Sequence, residues 1–319
     1  SSVATSRTFI IPAGEFNDAS SGGNDDCRVG VELTDATTVS GYRAADGGNM
    51  TVSLFVVEGT ANLVTSVQYG KVTISTSIYS ETASISAVNT ANSIILSLGG
   101  TIPYTSTGHR WNYAKGCWGF NSSTEIELNR WSNYAGYSVE FYYCVVEFNP
   151  SAIESIQKVD FDSSITTYED VTISAVSTAD TALLSGGMTS GHSNGNASAR
   201  FTLYDSDTVR MQTNGVTAVP RVGVIWAVEF ADGVLEHSQY VEKDLGASLT
   251  GTSAITAVTQ ANATLTHLGL ESDDVDAKII DQLAAVSFNS GTQIAFERGG
   301  STDESHKINV NVLEWSMES

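Results

Sequence analysis

The sequence VEFYYCVVEF, residues 139–148, decides how the rest of the chain is interpreted. It alternates in polarity, is rich in β-branched and aromatic residues and contains no Gly or Pro, so it predicts a β-strand. Similar stretches occupy residues 52–58, 224–230 and 308–315, and each has a glutamate near its end. These glutamates, Glu58, Glu147, Glu229 and Glu314, follow one another at intervals of 89, 82 and 85 residues. The chain is therefore predicted to repeat one structural unit.

Other landmarks keep the same phase. A glutamine stands ten residues after each of the first three glutamates, at Gln68, Gln157 and Gln239, and an Ala-Val pair follows each glutamine by 18 or 19 residues. A block that begins at Leu33 recurs with its first residue at positions 120, 203 and 288. The first residues of the four blocks lie 25, 27, 26 and 26 residues before the closing glutamate of their modules. Landmarks in register at several positions make chance recurrence a poor explanation.

The repeats predict an all-β fold. A repeat of about 85 residues lies within the usual size range of a domain, and each full repeat contains six to eight strand patterns separated by turn residues. We therefore predict a tandem array of antiparallel β-sandwich modules of the jelly-roll or immunoglobulin-like kind. The predicted modules are residues 1–59 (partial), 60–149, 150–232 and 233–319. Joints of only a few residues favour a semi-rigid rod or arch.

The first module contains only the later part of the repeat, because the glutamine and Ala-Val landmarks have no counterpart before residues 8–11. A sandwich without its first strands would leave an edge unpaired. Two interpretations stay open. The partial module is completed by another segment, from the next module or from a neighbouring subunit, or it forms a smaller sheet that is sufficient by itself.

The chain is strongly acidic, with 36 acidic and 15 basic residues and a formal charge of −21. Such a surface repels phosphate backbones and anionic lipids, so neither nucleic acid nor membrane is expected as a partner. The charge either keeps an extended surface soluble or docks on a basic partner. We find neither a membrane-spanning run nor an export signal, which predicts assembly in a cytoplasm.

No catalytic, cofactor or metal site is predicted. Residues 191–195, GHSNG, fit the Gly-x-Ser-x-Gly pattern but lack the preceding strand and following helix that such a nucleophile needs. Asp273, Asp274 and Asp276 could bind calcium, although the start of a solvated helix is the better interpretation. The odd number of cysteines leaves open a Cys117–Cys144 bridge, two buried thiols, or a bridge from Cys27 to another chain.

Two groups of residues remain as candidate sites. The aromatic side chains Trp111, Tyr113, Trp118 and Trp131 could form a protein interface, bind a glycan or cap their own core. An arginine recurs four residues after the end of the Leu33-type block in three modules, which suggests structural pairs of Glu58 with Arg43, Glu147 with Arg130, and Glu314 with Arg298.

A resemblance to known proteins rests on three stretches of sequence, residues 86–96 (SAVNTANSIIL), the block 33–39 and the closing VVEF of residues 145–148. The chain resembles the repetitive β-sandwich structural proteins of tailed-phage virions, which decorate heads or build fibres. The resemblance implies a non-enzymatic protein without a cofactor, present in many copies and bound to other capsid or tail subunits as a homo-oligomer on a symmetric assembly. It also implies a virion surface location, after assembly in the host cytoplasm. The alternative is a tail-fibre or adhesin-type protein that binds a receptor or glycan.

Overall fold

The computed structural model describes residues 2–17, 29–43, 50–75, 78–101, 115–130, 138–164, 167–190, 198–213, 221–272, 284–299 and 305–316. The predicted all-β class is confirmed, and the described sheets are antiparallel. In chain order the strands are β1 Thr8–Asn17, β2 Gly30–Asp35, β3 Thr38–Tyr42, β4 Met50–Glu58, β5 Val64–Ile74, β6 Ser80–Ser84, β7 Ser93–Thr101, β8 Cys117–Ser122, β9 Glu125–Asn129, β10 Val139–Phe148, β11 Ile153–Ser163, β12 Tyr168–Thr172, β13 Thr181–Ser190, β14 Arg200–Asp205, β15 Thr208–Gln212, β16 Arg221–Phe230, β17 Leu235–Gly246, β18 Thr250–Ala254, β19 Ala263–Ser272, β20 Ala284–Ser290, β21 Gln293–Arg298 and β22 His306–Trp315.

Each complete unit consists of six strands, which we call A to F in chain order. Strands A, F and C form one three-stranded sheet with F in the middle, and strands B, E and D form another. In the second unit the central strand is β10, which pairs with β5 from Val139↔Ile74 to Phe148↔Val64 and with β7 on its other edge. Because β10 is paired on both edges and covered on both faces, nearly all of its side chains are buried.

The sheets continue from one unit into the next. Strand D of the second unit pairs with strand C of the third at Cys117↔Gly187, and the same join links the third and fourth units at Arg200↔Gly269. Strand β20 of the fourth unit pairs with β1 of the first at Gly14↔Ala285, so the row of units closes on itself. The predicted rod or arch of separate sandwiches is therefore corrected to a propeller-like ring of four units. Three of the joins are strand pairs, and at the fourth Gly99 of β7 lies close to the backbone of Val29 and Gly30, although the described strands β7 and β2 are not paired.

A glycine bulge stands at each of the four joins. Gly14, Gly99, Gly187 and Gly269 occupy equivalent positions in strand C and have φ values of 102°, 84°, 109° and 97°, which only glycine adopts readily. Their Cα atoms approach the backbone of the neighbouring strand D closely, and a Cβ atom added to Gly99 would lie 2.1 Å from Val29 O. Strand β7 continues through Gly99 and Gly100 to Thr101.

Four aromatic rings meet where the units converge. Phe148, Phe230 and Trp315 directly follow the recurring glutamates, and the first unit has Gly59 at that position. Phe9, on the neighbouring strand β1, supplies the fourth ring instead. The rings form a closed cycle of edge-to-face contacts, with centroid distances of 6.2, 5.5, 5.4 and 6.3 Å. This cycle ties all four units together through the largest of the three hydrophobic clusters.

In the described part of the chain, the first unit has strands C to F. Val3 N donates to Ala36 O, as Val88 N donates to Ser123 O in the second unit, so Val3 occupies the position of the Ala-Val landmark. The sequence comparison missed this counterpart. The next module does not supply the missing strands, because β5 and β6 pair with β10 and β9 of their own unit.

Candidate binding face

One end of the ring collects exposed apolar side chains. Strands A, C and E end there, and strands B, D and F begin there. For example, Arg130, which follows strand E, donates hydrogen bonds to Ser75 O just after strand A and to Tyr79 O just before strand B. We call this end the loop face, and we define it by Tyr42, Tyr79, Tyr168 and Leu249, which are 37–52% exposed. They are four of the six large apolar residues exposed in the described part of the chain. Each of the four units thus places one exposed apolar side chain at this end, which makes the loop face the candidate interaction surface.

The predicted aromatic contacts divide between this face and the core. Trp118 is 1% exposed and packs against Tyr143 at a centroid distance of 4.9 Å, so its prediction as a surface contact is wrong. Trp111, Tyr113 and Trp131 lie outside the described residues, and their role stays a prediction. The chain segments that carry them begin and end at strand termini of the loop face.

Charged side chains flank the exposed rings. Tyr42 stacks on Tyr142 at 5.2 Å, and Lys71 lies 5.8 Å from the Tyr142 ring centroid. Lys71 Nζ also donates to Glu140 at 2.7 Å, and this hydrogen bond raises the pKa of Lys71 and lowers the pKa of the carboxyl group. The cluster holds the ring of Tyr42 in one orientation at the surface.

A second cluster has the same chemistry in the third unit. The Arg210 guanidinium lies between the rings of Tyr168 and Tyr204, at 4.3 and 3.6 Å from their centroids, and makes two hydrogen bonds to Asp170. Hydrogen bonding to Arg210 lowers the pKa of the Asp170 carboxyl group. Cation–π contact and ion pairing together fix the exposed rings in place.

The recurring glutamates hold the backbone at the opposite end of the ring. Glu58, Glu147, Glu229 and Glu314 each accept a hydrogen bond from the amide that follows the Val landmark, at 2.7, 2.9, 2.6 and 2.7 Å. In the second and third units the other carboxylate oxygen accepts from a serine of strand A, Ser66 or Ser155. The glutamates therefore join strand F to the segment before strand C and, in the second and third units, to strand A as well.

The predicted pairs of these glutamates with arginines are wrong. Arg130 donates to Ser75 O and Ile78 O, and Arg298 donates to Ser248 O, which places both guanidinium groups beside the A-to-B connection on the loop face. Glu147 and Glu314 lie at the other end of strand F. Arg43 occupies the corresponding position in the first unit and is exposed, whereas its predicted partner Glu58 bonds Ala4 N. Equal spacing in sequence did not reveal that strands E and F run in opposite directions.

Removing one glutamate should destabilise the ring measurably. We expect Glu229→Ala to lower the free energy of unfolding by about 2 kcal/mol, because the Ser177 amide and the Ser155 hydroxyl each lose a charged acceptor. Denaturant unfolding followed by tryptophan fluorescence measures the change. Glu154→Ala, which removes an exposed glutamate of β11, is the matched control and should change the free energy by less than about 0.5 kcal/mol. Equal effects of the two substitutions would contradict this role.

Of the alternatives for the cysteines, the structure has two buried thiols. Cys117 and Cys144 are free, and Cys117 Sγ donates to Val222 O at 3.2 Å. Burial raises the pKa of both thiols to about 12. Cys27 lies outside the described residues.

These thiols should react only after unfolding. At pH 8 both groups are protonated and enclosed, so iodoacetamide should leave them unmodified in the native protein and label them in denaturant. Peptide mapping by mass spectrometry after timed labelling measures each site separately. Rapid native labelling of Cys144, which is 0% exposed, would show that the second unit opens.

A buried ion cluster joins the third and fourth units and was not predicted. Arg200 is 4% exposed and donates to Glu271 at 2.6 Å, to Asn309 at 3.0 Å and to Glu242. Its equivalents in the other units are Gly30, Cys117 and Ala285, so the cluster breaks the repeat. No repeating signal could have pointed to it.

A cavity of about 220 Å³ lies between the four C strands. Its lining includes the equivalent residues Pro12, Ser97, Ser185 and His267 and is largely apolar. Among the described residues, no group of three or more His, Cys, Asp and Glu side chains could hold a metal ion. The candidate calcium residues and the GHSNG segment lie outside the described part of the chain.

Comparison with known proteins does not place the chain in a family. No family model matches it, and no curated protein matches its sequence. In the described part of the chain, no helix has the length and apolar character needed to cross a bilayer.

Proposed function

We propose that the chain is a non-enzymatic structural protein of a tailed-phage virion, a capsid decoration protein or a head-attached fibre component. It would bind neighbouring subunits through the loop face. The observation that carries this proposal is the gathering of exposed Tyr42, Tyr79, Tyr168 and Leu249 on that face. Repetition of such a modest contact over a symmetric assembly would supply the affinity by multivalency.

The residues that repeat through the chain support a structural role. The glutamates join strands, the glycines allow the units to approach, and the aromatic rings close the ring of units. In each case the repeated residue contacts other residues of the same chain. A scaffold of this kind presents surfaces, and the acidic exterior favours a partner with a basic surface.

The proposal can be tested with one variant and one control. The triple substitution Tyr79→Ser, Tyr168→Ser and Leu249→Ser should abolish binding to purified particles or to capsid and tail subunits, measured by co-sedimentation. Val56→Thr is the control, because Val56 is also exposed but lies near the Glu58 end of β4, at the opposite end of the ring. Electron microscopy should then locate the wild-type chain on the particle. Binding that is unchanged in the triple variant would contradict the use of this face.

A receptor- or glycan-binding fibre protein is the second candidate. It is favoured by Tyr79 and Tyr168, which are both 52% exposed on the loop face. Flat exposed rings are suited to stacking on sugars. Glycan-array binding that is lost in Trp111→Ala with Trp131→Ala, together with absence from particles, would favour this function over the first.

A further inference from the structure

We propose that the open edge of β4 accepts an extended strand from another polypeptide chain, which completes the first unit as its strand A. This inference goes beyond the proposed function, because it concerns one edge of the ring and holds for any assembly in which the chain takes part.

Strand β4 is the only described F strand that pairs on one edge. Its counterparts β10, β16 and β22 each lie between a strand A and a strand C, whereas β4 pairs with β1 alone. The consequence is clear at one position. Val56 is 42% exposed, while the equivalent residues Val145, Ala227 and Val312 are 1%, 0% and 0% exposed. The first unit thus shows an apolar surface that every other unit covers.

The backbone of β4 is oriented for strand addition. Gly59 N donates to Arg7 O on the β1 side. Backbone groups alternate in direction along an antiparallel strand, so the N–H and C=O groups of Val56 and Glu58 point to the open edge. The strand register supports this orientation. Leu54 is two residues before Val56, so its N–H and C=O groups also point away from β1. Its partner on β1 is Pro12, which has no backbone N–H to donate.

Glu58 adds a side-chain acceptor to this edge. One of its carboxylate oxygens accepts from Ala4 N, as in the other units. The second oxygen of Glu147 and of Glu229 accepts from a serine of strand A, and that of Glu314 lies 3.9 Å from His237 Nε2. Among the described residues no strand A donor stands opposite Glu58.

The three complete units define the chemistry of the occupant. Their strands A are eleven or twelve residues long and run antiparallel to strand F. Each places Ser or His opposite the glutamate and, two residues later, a glutamine opposite the position of Val56. The glutamine side chain holds the segment before strand C, as Gln68 does by bonding both Ser86 N and Ser86 O. The expected partner is therefore an extended segment with a Ser/His-x-Gln sequence between apolar residues.

A second copy of this chain fits the edge less well. Its own three segments of this sequence, at residues 66–68, 155–157 and 237–239, are already paired with β10, β16 and β22. Of the described F strands, only β4 would be open for pairing in a second copy, and β4 lacks this sequence. A strand from a different chain satisfies both the backbone and Glu58.

A synthetic peptide can test the edge directly. The probe is a fluorescently labelled peptide of residues 60–86, which carries β5 and β6, added to the intact 319-residue chain. We expect saturable binding at a ratio of one to one by fluorescence anisotropy, with new hydrogen-exchange protection of the Val56 and Glu58 amides. The same peptide with Gln68→Pro should not bind, because proline removes a donor that faces strand F.

Two protein variants place the binding on β4. Val56→Pro removes an outward N–H and leaves the β1–β4 hydrogen bonds intact, so it should weaken binding about tenfold or more. Val56→Thr keeps the N–H and the branched shape and should bind like the wild type. Equal binding to Val56→Pro, or the absence of saturable binding to the wild type, would overturn the inference. Self-association of the wild type that Val56→Pro abolishes would also overturn it, in favour of a second copy.

Discussion

Replacing Gly187 with alanine is expected to lower the free energy of unfolding by roughly 3–5 kcal/mol or to prevent folding. Gly187 has a φ of 109°, and a Cβ atom there would lie 2.0 Å from Gly116 O. That oxygen belongs to the backbone just before β8, so no side-chain rotation relieves the contact. The third unit would have to move away from the second at the point where they share a sheet.

The effect has two causes, the backbone strain of a positive φ and the steric clash of the added Cβ atom. A second glycine allows them to be measured separately. Gly233 has a φ of 81°, but nothing lies within 4 Å of an added Cβ. Gly233→Ala therefore carries the backbone strain alone, for which about 1–2 kcal/mol is expected. Thermal and denaturant unfolding of the two variants measure the difference. If Gly187→Ala cost no more than Gly233→Ala, the close approach of strands C and D would not be what joins the units.

Phe148→Ala is expected to lower the free energy of unfolding by about 4 kcal/mol. Phe148 is 0% exposed and makes edge-to-face contacts with Phe9 and with Phe230. The substitution removes one ring of the cycle and leaves a cavity where strands from the four units converge. Because the cycle crosses unit boundaries, we also expect unfolding to lose cooperativity, visible as a broader transition.

The control for this substitution is an aromatic residue outside the cycle. Tyr79 is 52% exposed, so Tyr79→Ala should change the free energy by less than about 0.5 kcal/mol. A Phe148→Ala variant as stable as Tyr79→Ala would show that the units are held together mainly by their shared sheets. Phe230→Ala should behave like Phe148→Ala, since its ring also makes two edge-to-face contacts in the cycle, with Phe148 and with Trp315.

Much of the strand content was predictable from local patterns. The stretch at residues 139–148 is a strand with the bounds that its alternation indicated, and the repeat places matching strands in every unit. Burial of Trp118 and the positions of Arg130 and Glu147 were not predictable. They depend on which strand ends meet, and spacing along the chain carries no information about strand direction.

The sequence by itself determined the β-strands and their repetition. Each of these properties is local, since the alternation of side chains and the order of landmarks are written along the chain. Only the tertiary structure decided that the units share sheets and close into a ring, that Phe9 replaces the ring missing at Gly59, and that β4 keeps an open edge. These depend on contacts between residues far apart in sequence, such as Gly14 with Ala285, whose pairing leaves no local pattern.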